Sequence, residues 1–144
     1  MTTRRPTFSA ALAAGAVMAL AVQSSWVEAA QSPRAGWQIG DDALDLKNPV
    51  ALSPAVVSKG ADLYRAKCQR CHGRSGRGNG PDADLDSPPR DLTDGTRAGR
   101  NPDGVLFYKI WNGRTNPRMP AFKTDVSRDD VWTIVHYIKT LRVP

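Results

Sequence analysis

Apolar residues recur at helical spacing in three stretches of this chain. The first opens at Ser53, a residue suited to an N-cap, with Pro54 at the first helical position. Its Val56, Gly60, Leu63 and Tyr64 then share one face. A shorter helix is predicted over residues 103–111 and is stopped by Asn112-Gly113. The last opens at Ser127, whose hydroxyl is placed to cap the N–H of Asp130, and runs to about Arg142. Val131, Ile134, Val135, Ile138 and Leu141 form its buried stripe, and His136, almost opposite the centre of that stripe, is expected to face water. Residues 73–103 are dominated by Gly, Pro and Asp, and residues 114–125 carry no periodicity, so both read as loops. No alternating pattern and no internal repeat is present. The predicted class is all-α.

The stretch before these helices has a different character. Residues 1–29 combine Arg4 and Arg5 with a small apolar run from about Phe8 to Val22 and end Val27-Glu28-Ala29, the pattern of a cleavable signal peptide. The apolar run is about fifteen residues, short of the roughly twenty that span a bilayer. Pro6 after the Arg pair weakens a twin-arginine reading in favour of general secretion. Residues 30–52, with Trp37, Asn48 and Pro49, read as an extended arm laid on the domain formed by residues 53–144. No stable membrane anchor is expected, and the processed chain belongs in the periplasm, where thiols oxidise unless something holds them. Processing after Ala29 leaves 115 residues with only 29 large apolar side chains. So thin a core calls for a staple: disulfides, a metal or a bound cofactor.

Charge adds a second asymmetry. The whole chain is +6 with a pI near 9.7. Residues 65–78 carry Arg65, Lys67, Arg70, Arg74 and Arg77 without an acid, residues 109–123 carry Lys109, Arg114, Arg118 and Lys123 without an acid, and Asp82, Asp84, Asp86, Asp91 and Asp94 lie between. An exported chain rarely meets nucleic acid, so nucleic-acid binding is not expected. Protein partners with acidic docking patches are what this pattern suits.

The staple is written at Cys68-Gln69-Arg70-Cys71-His72. Two thiols three apart on one turn are spaced for thioether bonds to the two vinyl groups of a haem, and the next residue, His72, reaches the iron. A redox-active Cys-x-x-Cys wants a strand before it and a helix after it, whereas here a helix leads into a Gly-rich loop. Zinc would need four ligands from two Cys, two distant His and scattered Asp. A plain disulfide explains neither His72 nor the thin core. Once the signal is removed Met119 is the sole methionine, and it sits in a loop beside Pro120, which makes it the candidate second iron ligand. Haem carboxylates want cationic or indole donors, and Arg90, Trp111 and Arg114 are candidates. Gly78-x-Gly80-x-x-Ala83 mimics a dinucleotide fingerprint without its strand, and Asp82-x-Asp84-x-Asp86 mimics a calcium loop without its glycine and final acid.

With these residues in view, the chain resembles the class I c-type cytochromes of the single-haem bacterial kind. The likeness rests on Gly60-x-x-x-Tyr64, Cys68-x-x-Cys71-His72-Gly73, Gly78-Asn79-Gly80-Pro81, Pro89-Arg90-Asp91-Leu92, Gly113, Arg118-Met119-Pro120-Ala121-Phe122 and Tyr137-Ile138. It implies about three main helices with long loops wrapped around one haem c, covalently attached through Cys68 and Cys71 and ligated by His72 and Met119. It also implies that Gly60 meets the last helix near Tyr137. The family's short Gly-Pro-x-Leu, whose proline carbonyl accepts the histidine's hydrogen bond, is stretched here to Pro88-Pro89-Arg90-Asp91-Leu92. The implied activity is one-electron transfer by a non-catalytic carrier, monomeric when free. Two other readings are a haem subunit of a periplasmic dehydrogenase or oxidase complex, and a protein that binds CO, NO or peroxide at a loosely ligated iron.

Overall fold

The computed structural model describes residues 36–143, so the predicted signal segment lies outside the described residues. The described residues form four α-helices, α1 (Pro54–Lys67), α2 (Gln69–His72), α3 (Asp103–Asn112) and α4 (Arg128–Thr140); only Cys68 separates α1 from α2, and long loops join the rest. Among the described residues there is no strand, only isolated bridges between Asp94 and Val143 and between Arg114 and Met119. The class is all-α.

Local chemistry sets most of the helix ends. Ser53 Oγ accepts from the Val56 N–H at 3.2 Å with Pro54 behind it, and Ser127 Oγ accepts from the Asp130 N–H at 3.1 Å. Gly113, at φ +63°, ends α3. A 3₁₀ segment, Gly95–Arg100, stands where the pattern gave only loop. Asp94 caps it by accepting from the Thr96 N–H at 3.0 Å, and the Val143 N–H tethers the start of this stretch through the Thr93 carbonyl at 3.0 Å. The cap was local and visible, but the tether comes from fifty residues away.

α1 crosses α4 at Gly60, where a Cβ would stand 2.6 Å from the Thr133 carbonyl oxygen and 2.8 Å from the Tyr137 Cβ. Only a glycine lets the backbones come this close. Tyr64 and Tyr137 pack beside the crossing with ring centroids 5.2 Å apart. α3 lies on the other side of α4, with Phe107 stacked on Trp132 at 4.2 Å.

The polypeptide before α1 closes the remaining face. Ala43 is fully buried, and its carbonyl sits where a Cβ at Gly104 would go. Asn48 Nδ2 donates to the Trp132 carbonyl at 2.8 Å, and Tyr108 OH donates to Asp42 at 2.9 Å. His136 is therefore not at the surface as its helical position suggested: it is 9 % exposed, with Nε2 2.7 Å from the Val50 carbonyl. One helical wheel cannot register a segment that folds onto its polar side.

Candidate functional site

α1 delivers Cys68 at its C-terminus, where the Cys68 N–H still bonds the Tyr64 carbonyl at 2.8 Å. The next turn begins at once, with the N–H groups of Cys71 and His72 both directed to the Cys68 carbonyl at 3.2 and 2.9 Å. Two sulfurs and an imidazole are thus gathered at one helix end. Neither cysteine is in a disulfide and both are half-buried. Burial, and then the neighbouring Cys71, push the Cys68 thiol up to about 12. The Cys71 Sγ lies 3.7 Å from the Asp82 carbonyl.

The Gly-rich loop folds back to hold this turn in place. Tyr64 OH donates to the Gly73 carbonyl at 2.8 Å, the Gly78 N–H to the His72 carbonyl at 2.8 Å and the Gly80 N–H to the Cys71 carbonyl at 3.1 Å. Gly78, at φ +79°, also leaves room for the Pro89 carbonyl, which a side chain there would strike. That contact brings residues 88–92 beside His72. The Arg90 backbone acts on the imidazole but stops short of hydrogen-bond geometry, so His72 Nδ1 is buried without a partner. Burial holds the His72 pKa below the ordinary histidine value, with a smaller opposing pull from Arg90, which favours the neutral ring that binds metal.

Met119 is fixed from a separate direction. It exchanges two backbone hydrogen bonds with Arg114, each 2.8 Å, to form a tight hairpin beyond α3. Gly113 allows this, since a Cβ there would meet the Met119 carbonyl and the Ala121 N–H. The Phe122 and Lys123 N–H groups then bond the Ile110 and Trp111 carbonyls at the end of α3. Cys68, Leu92, Trp111 and Met119 all lie half-buried against the same core cluster.

The cationic candidates take up different positions. Trp111 stacks on Phe107 at 5.7 Å with the Arg128 guanidinium 5.4 Å from its ring. Arg114 lies 4.3 Å over Trp37 and donates to the Pro117 carbonyl, and the nearby charge of Arg90 adds to burial in lowering its pKa. The first basic run, free of acids along the chain, is not free of them in space: Arg65 pairs with Asp62, Lys67 with Asp125 and Arg70 with Asp82. No cluster of three or more His, Cys, Asp or Glu side chains suited to a metal ion occurs among the described residues. No helix of the described residues is long and apolar enough to cross a membrane.

Comparison with known proteins is consistent with this geometry. Residues 55–138 match the family model for cytochrome c oxidase, cbb3-type, subunit III. The chain is 34 % identical over 103 residues to the cbb3-type cytochrome c oxidase subunit FixP of Azorhizobium caulinodans; the match takes in 72 % of this chain and spans 33 % of that relative's length. Among solved structures it resembles a chain of the Kuenenia stuttgartiensis reducing HAO-like protein complex Kustc0457/Kustc0458, with TM-score 0.56 and 28 % identity, over 68 % of this chain and 50 % of the other. With the helix end, glycine loop and methionine hairpin in place, the chain belongs to the family of cbb3-type cytochrome c oxidase subunit III and is a c-type cytochrome.

Proposed function

We propose that this chain holds one haem c, attached through Cys68 and Cys71 and ligated by His72 and Met119, and passes single electrons between redox proteins in the periplasm. The observation that carries this is His72: a half-buried imidazole with Nδ1 buried and lacking a hydrogen bond, the Arg90 backbone beside it, and burial lowering its pKa. An orphaned buried nitrogen costs about 1–3 kcal/mol unless another interaction uses the ring. Iron ligation through the other ring nitrogen, with Nδ1–H donating to the Arg90 carbonyl, would give the ring that use. The residues present therefore fit the group.

Haem, when bound, supplies a one-electron iron couple. The protein's task is to hold the ligands still through the change of charge. The Cys68 and Cys71 sulfurs sit on one rigid helix end, and Met119 is held by the hairpin with Arg114 and by the backbone bonds from Phe122 and Lys123 to α3. His72 and Met119 would hold the group from two separate parts of the chain and leave no ligand position open to substrate, which suits this chain to electron transfer and not to catalysis. A neutral thioether favours the reduced form over a second imidazole, which sets a comparatively high potential. Arg90, Arg114 and Trp111 are the donors proposed for the haem carboxylates.

The match to a third of FixP, and to half of a chain from a multi-subunit complex, favours service as a haem subunit of an oxidase or dehydrogenase complex over a solitary carrier. Purification of the tagged protein from its own cells separates the two, since a subunit brings a large redox partner and a carrier does not. The ligand set is tested by spectra. The oxidised protein should show the methionine-to-iron charge-transfer absorption, Met119→Ala should lose it, and the reduced wild-type protein should not bind CO. CO binding by the wild-type protein would contradict the assignment.

A further inference from the structure

Lys109 stands apart from most of the other cations. It projects half-buried from α3, hydrogen-bonded through Nζ to Asn101 Oδ1 at 2.6 Å and lying 5.2 Å from the centre of the Trp37 ring. Arg114 lies over the same ring at 4.3 Å, and Arg90 is close enough for its charge to act on Arg114. Asn101 is itself held from behind, its carbonyl accepting from Arg142. Acids elsewhere are paired with Lys59, Arg65, Lys67, Arg70, Arg97 and Lys139, yet among the described residues no carboxylate forms an ion pair with Lys109, Arg114 or Arg90. The crowding has an electrostatic cost. Burial and then Arg114 bring the Lys109 pKa down to about 8, and a protein that concentrates unpaired positive charge under an aromatic ring gains by receiving an anion there.

We infer that Lys109 is a positioning residue that, together with Arg114 and Arg90 and beneath Trp37, receives the carboxylates of the haem and raises its reduction potential. This rests on the haem reading above. Lys109 is on α3 and Arg114 begins the hairpin that carries Met119, so an anion between them would tie the methionine hairpin to the helix. A fixed positive charge near the iron favours the state with one more electron, so removing it lowers the potential. Lysine suits this place because its Nζ reaches Asn101 Oδ1 while lying over the face of Trp37.

The test is an optical redox titration of the haem-loaded protein for the wild type, Lys109→Met, Lys109→Arg and Lys47→Met. The last of these removes the same charge from an exposed position on the segment before α1. Lys109→Met should lower the midpoint potential, Lys109→Arg should restore most of it, and Lys47→Met should leave it near the wild-type value. A Lys109→Met potential equal to that of the wild type or of Lys47→Met would overturn the inference, as would failure of Lys109→Arg to restore it. Covalent haem absorbance is recorded before any titration, and its absence from the wild-type protein would overturn the underlying haem reading instead.

Discussion

Gly60→Ala places one methyl group at the α1–α4 crossing, and the structure fixes the sign of its effect. The new Cβ would lie 2.6 Å from the Thr133 carbonyl oxygen, which is backbone and cannot rotate away, and 2.8 Å from the Tyr137 Cβ. Ordinary contacts of these kinds begin near 3.3 and 3.5 Å, so the helices must part by about 0.7 Å. A gap of that size forfeits about a quarter to a half of the dispersion energy of the atoms along the seam. Overpacking of this kind costs about 1–3 kcal/mol, while alanine in place of glycine returns about 1 kcal/mol through helix propensity. Because the obstructing atom is backbone, the overpacking falls at the upper end of that range, and the net loss is about 1–2 kcal/mol, a fall in Tm of about 4–16 °C for a domain of roughly 100 residues. Thermal unfolding of the haem-loaded protein followed by far-ultraviolet circular dichroism measures it, with Ser58→Ala on the exposed side of the same helix as the control. A Gly60→Ala protein as stable as wild type, or more stable, would refute the close crossing.

Three further outcomes follow from the same reasoning. Cys68→Ala with Cys71→Ala should leave the chain largely unfolded and without covalent haem, because the apolar core alone is too small; a cooperative melt of that double variant would show the polypeptide core to be sufficient. Asp130 accepts from Lys59 at 2.6 Å and from Ser127 Oγ at 2.9 Å, and these bonds hold its carboxyl below the usual range. A lowered carboxylate pKa contributes stability that is complete above about pH 4 and is lost as pH falls through the folded value, so Asp130→Asn should cost about 0.5–1 kcal/mol at pH 7 and almost nothing near pH 2; denaturant titrations at the two pH values compare them. Reduction by a partner with an acidic docking patch should slow as salt is added, because attraction between exposed charges is screened within about 8–10 Å at physiological ionic strength; stopped-flow rates that do not change with salt would remove steering from the account.

The sequence revealed what local chemistry decides. Ser53, Pro54, Ser127 and Gly113 set helix ends through groups a few residues away, so α1, α3 and α4 stand close to their expected bounds. The Cys-x-x-Cys-His turn was legible because its meaning lies in one short motif, and Gly60 at the crossing was legible through the family resemblance. What escaped depends on distant chain. His136 is buried because Val50, eighty-six residues earlier, returns to its ring. Lys109 reads along the chain as one more member of a basic run, and only Trp37, far off in sequence, marks it as enclosed. Arg70 and Lys67 looked unopposed until the fold brought Asp82 and Asp125 to them. The backbone group facing His72, left open across residues 88–92, became identifiable as that of Arg90 once Gly78 admitted the Pro89 carbonyl.

The central claim is that the fold is completed by one haem bonded to Cys68 and Cys71. Intact-mass spectrometry of the denatured protein, purified from a host able to attach haem, tests it most directly. The account predicts a chain heavier by one haem, with the addition confined to the peptide that contains both cysteines. A chain at its bare polypeptide mass, or one whose haem is released by acid and organic solvent, would contradict it.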